Sequence, residues 1–249
     1  MTDQSAAFKG RYWEIDTFRG IAIVMMVTFH ILFDLSYLGI PLADVHSGFW
    51  RLFALTTASL FVFLVGLSLS ISYARSSAHL HGSALMMKYF RRGLGIFLLG
   101  LLITLVTWLM IGEGMIIFGI LHLIGLSIII APFFIRLGCA NLMVGIGVVL
   151  IGIGLSVFEG PIWLAWMGLH PSWFYSLDYE PLFPWFGLVL IGIAVGSALY
   201  PEGKRLFAVT EVQAFPFRAL SAAGRHSLII YLLHQPIILA FILLFRGIL

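Results

Sequence analysis

The sequence predicts an all-α fold, a polytopic bundle of membrane helices. Three observations lead there. The 249 residues are 61% hydrophobic and only 10% charged, whereas soluble domains carry about 45–50% apolar and about 25% charged residues. Mean hydropathy is +1.07. The apolar residues are gathered into runs near the roughly 20 residues that cross a bilayer as a helix. The 26 glycines and 15% aromatics fit helices that pack closely in lipid and end in interfacial aromatic belts.

Seven spans follow in order: roughly residues 18–38, 52–74, 93–111, 115–135, 141–158, 183–200 and 227–246. The fifth and sixth are short. Between them lies "GPIWLAWMGLHPSWFYSLDYEPL", residues 160–182. Its Trp, Tyr and Pro content predicts an interfacial or re-entrant segment, with an eighth pass as the alternative. The loop charges favour seven. With a cytoplasmic N-terminus, Lys9, Arg11, Arg19, Arg75, Lys88, Arg91, Arg92, Arg136, Lys204, Arg205, Arg218 and Arg225 fall on or near the cytoplasmic side, and only Arg51 and Arg246 outside. That asymmetry is what the positive-inside rule demands. The basic residues set topology and do not indicate nucleic-acid binding. The loop 201–221 is the longest cytoplasmic connection and is expected to lie along the membrane surface. No internal repeat divides the chain, so residues 1–249 read as one domain. The single cysteine, Cys139, excludes an internal disulfide.

Ionisable groups inside a membrane are costly and mark function by default. The first span, "FRGIAIVMMVTFHILFD", carries three. At about 100° per residue Arg19, His30 and Asp34 share one helix face, with His30 about 16 Å beyond Arg19. Asp34 stands at the i+4 spacing from His30 that brings side chains together. A carboxylate beside an imidazole is the usual support of a general base. His46 lies in the first external loop, His122 in the fourth span, and His234 with Gln235 in the last, beside Pro236. That proline frees backbone groups inside a helix. Tyr231 precedes Gln235 by one turn, and Glu180 precedes the sixth span as an external loop carboxylate. The histidines are scattered without metal-ligand spacing, so no metal is expected. No phosphate loop, dinucleotide fingerprint or nucleophile elbow is present.

The segments "EIDTFRGIAIVMMVTFH", "LFVFLVGLSLSIS", "FGILHLIGLS", "PLFPWFGLVLIGIAVG" and "GRHSLIIYLLHQPII" resemble the heparan-α-glucosaminide N-acetyltransferase catalytic-domain family, part of a wider group of transmembrane acyltransferases. The opening D-T-F-R-G and the closing G-R-x-S-L-x-x-Y-x-x-H-x-P are its specific parts. The resemblance implies acetyl-CoA as donor and an amino-sugar or glycan-type acceptor, such as a glucosamine, on the far side of the membrane. It places His46, 20 residues before Gly66, at the family's catalytic histidine. It places His30 where the lysosomal enzymes carry an asparagine and related O-acetylases carry a base. Which of the two is the base stays open.

In this reading His30, His46, Asp34 and His234 are catalytic. Arg19, Lys88, Arg91 and Arg92 meet the phosphates of acetyl-CoA, with His122 and Gln235 also on the donor side. A homodimer and a location in a prokaryotic cell membrane are further expectations. The alternative class is a proton-coupled transporter that uses His30, Asp34, His122 and His234 as a relay.

Overall fold

A computed structural model describes residues 11–40, 42–210 and 212–245. Lys9 and Arg246, two of the charges that set the expected topology, lie outside them. Among the described residues the structure is helical, with isolated bridges and no named strand. Its helices are α1 (Trp13–Tyr37), α2 (Gly48–Ser77), α3 (Gly82–Met110), α4 (Ile120–Ile130), α5 (Pro132–Ile135), α6 (Asn141–Leu155), α7 (Leu182–Leu199), α8 (Phe215–Arg225) and α9 (Ser227–Phe245). Among the described residues six helical runs are long and apolar enough to cross a membrane: α1, α2, α3, Gly138–Leu155, α7 and α9.

The expected fourth span, 115–135, is broken. Its α4 has 11 residues, about 16 Å at 1.5 Å each, and Pro132 opens the short α5 behind it. Ahead of α4 the chain is extended, and Phe118 bridges Tyr179. Residues 160–181 hold no membrane-length helix. They form a short 3-10 turn, Ile162–Met167, and are tied back by bridges from Ser176 to Gly114 and from Glu159 to His170. A non-helical segment between membrane-length helices needs partners for its backbone groups, and these bridges supply some of them.

The chain packs as two compact units. The larger comprises Val62–Ala208. Val62, Leu69, Tyr89, Leu123, Leu190 and Ile193 are buried at its centre. Glycines set its closest approaches. A Cβ at Gly145 would stand 2.6 Å from the Gly187 carbonyl oxygen, and one at Gly187 equally close to that of Gly145. No side chain fits there, so α6 and α7 meet backbone to backbone. Leu98, Leu101, Leu105 and Leu109 on α3 face outward, as a lipid-facing stripe should. Charges are segregated along the unit. Arg75, Lys88, Arg91, Arg92, Arg136, Lys204 and Arg205 sit at one set of helix ends, together with Glu202. Glu113, Glu159, Asp178 and Glu180 sit at the other ends.

The smaller unit comprises Met1–Phe61 and Val209–Leu249. Its α1 begins with Glu14 and Asp16 in the first turn, where negative charge complements the helix dipole. It ends in a Schellman motif. Gly39 adopts φ +85°, its N–H donates to the Ser36 carbonyl, and the Ile40 N–H donates to that of Leu35. That geometry closes the orphan carbonyls and turns the chain into the His46 loop. The α8 helix has Pro216 in its first turn, where a missing N–H costs nothing. It lies against α1, because a Cβ at Gly224 would overlap the carbonyl of Asp16.

Candidate functional site

The smaller unit gathers four of the expected residues between α1 and α9. His30 Nδ1 lies 2.9 Å from the Met26 carbonyl oxygen, and His234 Nδ1 meets the Tyr231 carbonyl. A carbonyl only accepts, so each Nδ1 carries a proton, and in its neutral form each ring keeps a lone pair on Nε2. The two rings stand edge to face, 4.7 Å between centroids. His234 Nε2 is buried without a partner.

Asp34 does not turn to His30. It is buried, and its Oδ1 accepts the Gln235 side-chain N–H at 2.7 Å. The spacing on α1 is right for a His–Asp pair, but the α9 amide takes the carboxylate and a backbone carbonyl orients the imidazole. Asp34 Oδ2 and Gln235 Oε1 are left buried and unpartnered. A carboxylate oxygen forces the amide's donor side toward it, so the oxygen left over is an acceptor. The cluster therefore presents three unpartnered acceptors: Asp34 Oδ2, Gln235 Oε1 and His234 Nε2.

His46 is exposed in the loop after α1. Its N–H donates to Asp44 Oδ1 at 3.0 Å, and the Ser47 hydroxyl donates to Asp44 Oδ2. These bonds, the Ser47 one foremost, hold the Asp44 carboxyl below its usual range. The His46 ring stands edge-on to Phe33 at 6.0 Å. Phe33 meets Phe29 at 6.1 Å, and Phe29 meets His30 at 5.9 Å. An aromatic file thus runs from the exposed histidine to the half-buried pair.

At the start of α1, Arg19 is engaged. Its Nη1 lies 2.9 Å from Asp16 Oδ1, with the side chain 18% exposed. Arg11 donates to both oxygens of the same carboxylate at 3.2 Å each. Two cations thus share one carboxylate. Sequence alone did not single out Asp16, although its i,i+3 spacing to Arg19 was a signal.

Lys88, Arg91 and Arg92 lie on α3 in the larger unit and are exposed. Lys88 Nζ bonds Ser76 Oγ. His122 is in this unit too, 2% exposed. Its Nδ1 accepts the Gly119 N–H at 3.3 Å, and its Nε2 lies 3.4 Å from Thr104 Oγ1. Thr104 also bonds the Ile116 carbonyl at 2.6 Å. Both ring nitrogens are committed to the α3–α4 junction. Asp178 Oδ2 accepts the Ile120 N–H at 3.2 Å, which satisfies an orphan donor at the start of α4. Glu180, expected as an exposed loop carboxylate, has a buried Oε2 without a partner. Burial, then the nearby Asp178 charge, raises its carboxyl well above the ordinary value.

The family model described as "Heparan-alpha-glucosaminide N-acetyltransferase, catalytic" matches residues 11–236. That range spans the described α1 and reaches α9 as far as Pro236, and so includes every candidate site residue above. Neither the curated proteins nor the solved structures hold a significant match to the chain.

Proposed function

The chain belongs to the heparan-alpha-glucosaminide N-acetyltransferase catalytic family, and from that premise we propose that it moves an acetyl group across a membrane, from cytoplasmic acetyl-CoA to an amine on the opposite side. The observation that carries the choice of an amine is the acceptor-only cluster of Asp34, Gln235 and His234. A buried polar group without a partner costs about 1–3 kcal/mol. Three such groups, on Asp34, its partner Gln235 and the adjacent His234, are explained by a ligand that fills them. Each needs a donor. A hydroxyl supplies one hydrogen and an ammonium supplies three. Asp34 also supplies the charge that an ammonium needs in a dry site.

The chemistry balances on this pair of histidines. A bound R–NH3+ loses one proton to become nucleophilic. The free amine attacks the thioester carbonyl, and the resulting tetrahedral adduct loses a second proton as it collapses to amide and CoA thiolate. One of the two protons goes to the thiolate as it leaves, and the other leaves the site. His30 Nε2 and His234 Nε2 are bases suited to hold the two. Gln235 and Asp34 fix the amine's position. His46, where the resemblance places the catalytic histidine, receives the departing proton at the outer rim. Arg19, Lys88, Arg91 and Arg92 attract the anionic donor, in keeping with the positive-inside bias of the loops.

The test is transfer itself. Purified protein in lipid nanodiscs, given labelled acetyl-CoA and glucosamine, should yield N-acetylglucosamine. Loss of that product in His30→Ala and His234→Ala, with intact folding, supports the assignment. Full activity in both variants ends it.

A further inference from the structure

At the start of α1 two buried donors have no partner among the described residues: Trp13 Nε1 and Thr17 Oγ1. Thr17 is 5% exposed. The two residues are one turn apart, so their side chains share a face. The state of Thr17 is unusual within this protein. Thr28, Thr57 and Thr107, also on helices, each return the hydroxyl to the carbonyl one turn back, at 2.8, 2.8 and 2.9 Å. That local bond is the default for a helical threonine away from water. Thr17 does not make it. An indole N–H only donates, so the buried pair calls for an acceptor that the described residues do not supply.

We propose that Trp13 and Thr17 bind an amide carbonyl of the donor's pantetheine arm, a reading that rests on the acetyl-CoA-dependent function above. Two features select a neutral carbonyl over a phosphate. Both donors are uncharged, and the cations beside them, Arg11 and Arg19, already surround Asp16. Arg11, at 60% side-chain exposure, marks the entrance. Thr17 lies about 20 Å before His30 along the helix, between that entrance and the reacting thioester. An arm threaded past α1 has to satisfy its own amide groups on the way, because a lost hydrogen bond in a dry channel is costly.

The experiment compares acetyl-CoA with phosphate-free acetyl-pantetheine as donors for the reconstituted protein. Thr17→Val and Trp13→Phe should each raise KM for both donors about 3- to 10-fold, the worth of one hydrogen bond, with kcat unchanged. Thr17→Ser should restore the wild-type KM. Removing an unpartnered buried hydroxyl without a ligand role is neutral or stabilising, so a merely structural Thr17 leaves KM alone. Unchanged KM for acetyl-pantetheine overturns the proposal while the transferase reading stands. A penalty confined to acetyl-CoA overturns it in favour of phosphate. A wild-type protein that uses and binds neither donor overturns both readings. Should Thr17→Val fail to fold, calorimetric titration of pantetheine into Trp13→Phe decides the same point: weaker binding supports, and equal binding refutes.

Discussion

Gln235 on α9 donates its side-chain N–H to Asp34 on α1 at 2.7 Å, across 201 positions of sequence. The bond decides what the buried carboxylate does. It turns Asp34 to α9, and leaves His30 to be oriented by the Met26 carbonyl.

The first expectation concerns that bond. Gln235→Leu leaves Asp34 buried with both oxygens unpaired, a loss of about 1–3 kcal/mol in the amine-binding state. KM for the amine acceptor should rise about 10- to 100-fold, with a smaller change in KM for acetyl-CoA. Asp34→Asn should act in the same direction. Steady-state kinetics with each substrate varied in turn separate the two. Equal effects on both substrates would place the pair in the fold rather than the acceptor site.

The second concerns the histidine pair. Single changes of His30 or His234 to Ala should each cut kcat by about 10²–10⁴, the usual worth of a positioned base. Their effects should be strongly non-additive, because the two act as a unit. A double mutant equal to the product of the singles, measured with folded protein, would separate their roles.

The third concerns His46. As an exposed carrier of the departing proton, it should be replaceable by a small base in solution. His46→Ala is expected to lower kcat with little change in acceptor KM, and added imidazole should restore part of the rate. An enzyme that is slow and unrescued, with acceptor KM raised instead, would make His46 an acceptor-binding group.

The fourth concerns Glu180. Its carboxyl is raised in the fold, so the folded protein binds more protons than the unfolded chain above the ordinary value of 4.5. Stability then falls as pH rises from about that point toward the folded-state pKa. Glu180→Gln removes the effect. Its melting temperature should match the wild type at low pH and exceed it increasingly above about pH 5. Parallel pH profiles would show that Glu180 is not buried in this way.

Much of the architecture was written in hydropathy. Apolar runs give α1, α2, α3, α7 and α9 within a few residues, except that α3 starts at Gly82, well before the expected 93. That extension is "GSALMMKYFRR". It is amphipathic enough to stay helical but too charged to count as membrane. The broken fourth span was not legible, because 115–135 is uniformly apolar and its extended start depends on pairing with residues 176–179. Of the site, the single-helix order Arg19, His30, Asp34 was readable from period alone. Its partners were not. The Asp34–Gln235 bond joins distant parts of the chain, and local spacing favoured the wrong neighbour for the carboxylate. The occupied state of His122 needed the α3–α4 contact. The missing back-bond of Thr17 is a side-chain torsion that no pattern encodes.

On this account the α1–α9 cluster holds an amine and passes acetyl to it across the membrane. Proteoliposomes with protein oriented cytoplasmic side out, given labelled acetyl-CoA outside and glucosamine inside, test it most directly by mass spectrometry. The expected result is N-acetylglucosamine inside the vesicles, abolished in the His30→Ala, His234→Ala double variant. Acetyl found on a hydroxyl, on acceptor outside the vesicles only, or undiminished in the double variant would contradict it.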